Sequence, residues 1–274
     1  MRYWKTPSSL LAAISITISC TLSALWLLAG TVMAETMVET MTETMAGTMA
    51  GTMAETGAQT TLKPYQALYS IKVRGFSADM EQTLSKNNQQ QWQLSSYASV
   101  LFADIKESAT FSEVNNQITP HSYNYANQLS SKKNSQLVFN PEQQTVFDGL
   151  HSQKDLPLPK NSYDRLSFQA QLYLDVINSA GFTEKTYHLV DRNELKTYQV
   201  SKLAEETIAT PLGTFNALKL KQSRSGRDDY TLIWLAKDWD YFLLRIKRIT
   251  EDKKGYQLNL KSAIVDGKRL TAKE

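Results

Sequence analysis

The chain has 274 residues, with 30 Lys and Arg against 27 Asp and Glu and a formal net charge of +3. So even a balance supplies no basic footprint for nucleic acid, and a single cysteine, Cys20, excludes a disulfide framework within the chain. Hydrophobic residues make up 42%, enough for an ordinary packed core.

The first predicted element is a signal peptide over residues 1–34. Arg2 and Lys5 precede a stretch from Ser8 to Val32 without a charge, and Val32-Met33-Ala34 before Glu35 sets small residues at a cleavage position. About 20 apolar residues span a bilayer, so an uncleaved segment anchored in the inner membrane is the alternative. Cys20 stands between Thr17-Ile18-Ser19 and the apolar run Leu22 to Leu28, without the polar tether of a lipidated cysteine. Removing residues 1–34 takes two basic residues and no acidic one, leaving 28 against 27, or +1. The expected address is the periplasm.

Residues 35–62 read as a disordered low-complexity linker of Met, Thr, Glu and Gly. From Met33 to Thr56 the chain repeats every four residues, and six of the eight methionines fall there. Thr and Gly at each repeat disfavour a helix. Thioethers suit Cu(I), but no histidine accompanies them, so a copper tract is the weaker reading.

Residues 63–274 are expected to form a single β-rich domain. Leu68-Tyr69-Ser70-Ile71-Lys72-Val73-Arg74 alternates with period two, as a strand with one buried face does. Further strands are predicted at Met80–Ser85, Gln91–Tyr97, Leu101–Val114, His121–Gln128 and Gln136–Phe139, with turns at Asn87-Asn88, Asn115-Asn116 and Asn140-Pro141. After Pro157 and Pro159 the one convincing helix runs from Ser162 to Ile177. Asn161 is expected to cap it, with Asp164 as the acidic partner of a capping box and Gly181 beyond its end. Leu166, Ala170, Tyr173 and Ile177 would line one face. Strands resume at Lys185–Asp191, Leu195–Leu203, Glu205–Thr210, Phe215–Ser223, Tyr230–Leu235, Phe242–Thr250 and Tyr256–Ile264.

The order of strands, one helix and more strands predicts a mainly β fold: a large curved antiparallel sheet or incomplete barrel with one packed α-helix. A curved sheet can offer a concave apolar surface. Trp92, Tyr123, Tyr125, Tyr163, Phe168, Trp234, Trp239 and Tyr241 could line it, although strands carry aromatics into ordinary cores as well.

No catalytic motif emerges. There is no Gly-x-Ser-x-Gly elbow and no phosphate-cradling Gly-rich loop. His121, His151 and His188 are too scattered for a zinc motif. Asp228-Asp229 and Glu205-Glu206 are adjacent pairs, which point to opposite faces of a strand and cannot share one site. Neither a metal nor a cofactor is expected. Arg165 near a helix start opposes the helix dipole, which hints at a partner elsewhere.

Three segments carry a resemblance: Tyr163-Asp164-Arg165-Leu166-Ser167, Thr210-Pro211-Leu212-Gly213-Thr214-Phe215 and Ile233-Trp234-Leu235-Ala236-Lys237-Asp238. In this order and spacing they resemble the domain of unknown function 3108 family, exported bacterial proteins without an assigned activity, from Tyr65 to about Asp266. The resemblance implies an envelope address and a β-rich fold, and no reaction. It departs after Trp239, where Asp240-Tyr241-Phe242-Leu243-Leu244-Arg245 stands in place of a proline before the arginine-bearing strand. Thr210 to Thr214 needs no function beyond a tight turn.

The leading functional reading is a periplasmic, non-enzymatic protein that binds an apolar ligand, such as a lipid or acyl chain, in the concave sheet. Trp92, Tyr125, Trp234 and Tyr241 would line the site, with Tyr163 and Arg165 at its rim. The alternative is a structural or protein-interaction module of the envelope, and an unrecognised hydrolase ranks third. A lipid or an envelope protein is the expected partner, and nucleic acid is not.

Overall fold

The computed structural model describes residues 61–272 except 74–75, 101–102, 153, 180 and 252–254. The signal, Cys20 and the methionine repeat lie outside the described residues.

Period-two burial builds the first half of the sheet. In β1 (Tyr65–Val73), Ala67, Tyr69 and Ile71 are buried, and the residues between them face outward. β2 (Phe76–Lys86), β3 (Trp92–Val100), β4 (Ala103–Val114), β5 (Gln117–Asn127), β6 (Ser135–Asn140), β7 (Thr145–Asp148) and β8 (Leu156–Pro157) follow, each antiparallel to the one before. Asn115 and Asn116 make the two-residue turn between β4 and β5 with φ of 52° and 61°. That left-handed pair is what a tight hairpin needs and what Asn tolerates.

The second half begins with β9 (Ser162–Tyr163) and the helix α1 (Arg165–Ile177). It continues through β10 (Glu184–Asp191), β11 (Glu194–Thr210), β12 (Gly213–Ser223), β13 (Tyr230–Ala236), β14 (Phe242–Ile249), β15 (Tyr256–Val265) and β16 (Lys268–Arg269). β15 pairs with β1 and joins the halves into a 16-stranded sheet. Its end strands, β8 and β9, are neighbours in sequence yet do not pair, so the sheet is not closed into a barrel. β9 and β10 are parallel, unlike the antiparallel pairs of the meanders.

α1 touches β3, β4 and β5 as well as β9 and β10, strands from both arms of the sheet. The sheet therefore curls around the helix. A stripe of apolar residues on one helical face is not what the structure has. Leu166, Phe168, Ala170, Leu172, Leu174 and Val176 are all buried, Tyr173 and Ile177 are half-buried, and no residue of α1 is exposed. A 13-residue helix is marginal alone. Each large apolar side chain it buries contributes up to about 1.5–3 kcal/mol, so packing holds it.

Three expectations change. The 194–210 region is one strand with an irregularity at Lys202/Ala204, not two strands. β7 was not foreseen in the sequence, being short and set between turns. Asn161 does not cap α1: it sits at φ 62° ahead of β9, and the helix begins three residues after Ser162.

The cap is Asp164, fully buried. Its Oδ1 accepts from the Leu166 and Ser167 amides at 2.9 and 3.0 Å, its Oδ2 accepts from the Ser167 hydroxyl at 2.6 Å, and its own amide donates back to Ser167 Oγ at 3.0 Å. Burial pushes the Asp164 carboxyl up to about 6, against the hydrogen bonds from Ser167 and Leu166 that favour its charged form. The folded state thus holds a proton here that the unfolded state has released. Stability from this group is present below the unfolded value and is lost as pH rises through about 6. Asp164→Asn keeps a capping oxygen and cannot titrate. Urea melts at pH 4 and pH 7 are expected to show the wild type losing about 2 kcal/mol more than this variant across that interval. Equal losses in both proteins would contradict the assignment.

Candidate functional site

The densest polar cluster lies where α1 begins. Arg165, the first helical residue, reaches Glu107 on β4, with Nε 3.1 Å from Oε1. It also donates through Nε, at 2.9 Å, and through Nη2 to the Tyr123 hydroxyl on β5. That hydroxyl donates onward to Glu107 Oε1 at 2.6 Å. The guanidinium carbon stands 4.5 Å from the Tyr125 ring centre and 5.6 Å from that of Tyr123. Alternation explains the convergence: Glu107 is directly opposite Tyr125, and Ala109 opposite Tyr123, on the inward face of β4 and β5. Burial pushes the Tyr123 hydroxyl well up despite the opposing charge of Arg165, so it stays a neutral donor.

Asp191 at the end of β10 extends the cluster. It is ion-paired with Lys196, and Arg192 Nε lies 3.6 Å from its Oδ1. Burial works to raise the Asp191 carboxyl, but Lys196, Arg165 and Arg192 outweigh it and hold the group below its ordinary range. On β14, Arg248 is paired with Asp229 and donates to Thr231 at 3.0 Å.

Of the six residues singled out by sequence, the structure brings two together here. Tyr125 and Arg165 belong to the cluster. Tyr163, on β9 beside the cap, is 1% exposed and accepts from Gln117 at 2.6 Å. The others lie elsewhere. Trp92 is buried opposite Phe111, under Lys86 at 5.2 Å. Trp234 projects from the face opposite Ile233, where its indole donates to Glu206 at 2.6 Å between Lys219 and Arg245. Tyr241 is half-buried in a turn where it and Asp240 have φ of 58° and 48°. A proline ring fixes φ near −65°, so neither position of this turn would accept one.

Sequence reasoning missed Glu107, Asp191 and Arg192. Glu107 had a usable signal, a carboxylate on the inward face of β4 between Ile105 and Ala109. The histidines do not converge. His121 meets Ser112, His151 meets Asp148 at 3.0 Å, and His188 meets Thr197 at 3.1 Å. Glu205 and Glu206 engage different partners, Lys202 and Lys237 for one, Trp234 and Lys219 for the other. Among the described residues no three His, Cys, Asp or Glu cluster as metal ligands. At the opposite end of α1 an open cavity of about 330 Å³ is lined by Asn116, Asp175, Asn178 and Lys185. Its Asp175 is already bonded to Lys185 and Tyr187, each at 2.7 Å.

The sequence matches the family described as "Protein of unknown function (DUF3108)" over residues 58–261. No curated protein matches it. Among solved structures, a β-barrel-like protein of domain of unknown function DUF1849 from Brucella abortus is similar at 10% identity and a TM-score of 0.53. The match covers 75% of this chain and 98% of the other, and shows a shared fold. MucB matches at 8% identity and a TM-score of 0.33 over 73% of this chain and 52% of its own. A lipoprotein from Parabacteroides distasonis matches at 12% identity and 0.29 over 75% and 96%. At those scores neither bears on function.

Arg165→Met strands Glu107 beside one phenol. The loss is expected to be about 3 kcal/mol in urea unfolding, because breaking one half of a shielded pair leaves a charge uncompensated. In a double-mutant cycle with Glu107→Gln the coupling is expected to exceed ~1 kcal/mol. A coupling near zero would mean that the pair does not hold the helix.

Proposed function

The chain belongs to the DUF3108 family of proteins of unknown function, and we propose that it is an exported, non-enzymatic envelope protein that acts by contacting a protein partner. Residues 1–34 direct export, and residues 35–62 serve as a tether for the sheet that follows. The observation that carries this reading is that no residue of α1 is exposed: the concave side that an acyl chain would need is taken by the helix. Tyr125 and Arg165 serve there with Glu107 and Tyr123 as a brace, Tyr163 packs beside the cap, and an apolar ligand inside the sheet would have to displace α1 and break it.

What remains for recognition is the outside. On β6 and β7, Val138 and Phe147 are directly opposite one another and exposed, 54% and 38%. Leu150, 54% exposed, follows in the next turn. Scattered apolar residues are ordinary, whereas neighbouring ones mark a contact surface. Strand addition at this arm is disfavoured, because β8 is two residues long and ends in Pro157. Side-chain contact is therefore the mode.

A photo-crosslinking residue placed at 138 or 147 of the full chain, in intact cells, is expected to give a discrete protein adduct that the same probe at exposed Leu203 does not. Native mass spectrometry of residues 35–274 from the periplasm is expected to show a bare mass. A stoichiometric lipid, or adducts no different from those at 203, would overturn the reading.

A further inference from the structure

The second arm of the sheet leaves a length of edge open. β10 pairs with β11 from Glu184 to Asp191, whereas β9 covers its other side only at His188 and Leu189. Main-chain groups along an antiparallel strand point by turns to one side and the other. The Lys202 amide donates to the Thr183 carbonyl at 2.7 Å, on the β11 side, and the His188 amide donates to the Asn161 carbonyl at 3.2 Å, on the opposite side. Counting by twos, Glu184 and Thr186 share the side of His188, where β9 does not reach. Both residues are exposed. Their amides and carbonyls form a short row of unpaired donors and acceptors, the template that an uncovered strand edge offers to another chain.

The open cavity of about 330 Å³ lies at the same place. Four consecutive residues, Phe182 to Lys185, line it, so it follows the main chain where β10 starts. Asn116 of the β4–β5 turn and Asp175 and Asn178 at the end of α1 line it as well. Its size falls in the range that holds a small ligand. The charge of the wall is lopsided. Asp175 and Glu184 stand against Lys185 alone, and Lys185 is bonded to Asp175 at 2.7 Å, which leaves Glu184 uncompensated among the lining residues. α1 also ends here without a basic residue in its last turn, so the negative end of its dipole is unopposed. Such a wall favours a cation. Residues 35–62 of this chain hold four glutamates and no basic residue, so they do not fit it.

We propose that the start of β10 and the cavity beside it bind an extended peptide segment of another protein, one that carries a lysine or arginine. The segment's main chain pairs with the free edge at Glu184 and Thr186, which supplies affinity, and its basic side chain enters the cavity beside Glu184 and the end of α1, which supplies selectivity. This site is separate from the apolar pair on β6 and β7, and neither depends on the other.

The test uses the protein purified after export, isotope-labelled for NMR and titrated with a pool of end-capped pentapeptides that have lysine at the centre and mixed flanks. Saturable shifts are expected at the amides of Glu184 and Thr186, and a pool with glutamate at the centre is expected to bind at least tenfold more weakly. Thr186→Pro removes an edge N–H that β11 does not use, a place where a strand tolerates proline. It is expected to fold and to lose at least tenfold in affinity. Glu184→Lys keeps the edge and reverses the charge of the wall, and is expected to weaken the lysine pool and strengthen the glutamate pool. Should Thr186→Pro fail to fold, Glu184→Lys decides. Neither variant is expected to alter crosslinking from 138 or 147, which keeps this test apart from that of the β6–β7 surface. No saturable binding of the lysine pool, binding that a folded Thr186→Pro or Glu184→Lys leaves unchanged, or pairing of two copies through β10 seen by sedimentation would overturn the proposal.

Discussion

The interaction on which the rest depends is the one between Arg165 and Glu107. A cation in the first turn of a helix opposes the helix dipole, and here it is tolerated because Glu107, Tyr123 and the Tyr125 face meet it from two neighbouring strands. The same turn holds the buried cap of Asp164. Cap and brace together fix where α1 starts and which strands it starts against. A helix so placed fills the space the curled sheet encloses, and the sheet in turn needs it, since β8 and β9 leave one seam without main-chain pairing.

That arrangement also explains where the three segments that carry the family resemblance fall. Tyr163 to Ser167 is β9, the cap and the first turn of α1. Thr210 to Phe215 holds the end of β11, the two-residue turn Pro211-Leu212 and the start of β12, where Gly213 has φ 117° and a Cβ there would stand 2.6 Å from that of Ala272. Ile233 to Asp238 is β13 and the turn after it, with Trp234 bonded to Glu206 of β11. Each is sufficiently explained by architecture. The surface proposed for recognition lies outside them, at the apolar pair on β6 and β7.

The strands were most legible where one face is buried, because period-two alternation records that directly, as in Ala67, Tyr69 and Ile71. The meander was legible in the Asn turns. The cap was harder: Asn161 and Asp164 are both capping residue types, and only the backbone, with Asn161 left-handed, decides between them. Trp234 was read as lining because it is aromatic. Its face depends on a register that shifts between Trp234 and Leu235, which sequence alternation alone does not phase. The brace was half visible, as an arginine in an unfavourable place whose acid lies on a strand far along the chain.

The central claim is that α1 is a permanent filling of the sheet and not a displaceable lid. Native-state hydrogen exchange of the backbone amides of Arg165–Ile177 tests it most directly. The account predicts that the central amides of the helix exchange only with global unfolding, with the same free energy as those of β1 and β15. Exchange of the helix through a separate opening of much lower free energy, while β1 and β15 stay protected, would contradict it and return the interior to use as a ligand site.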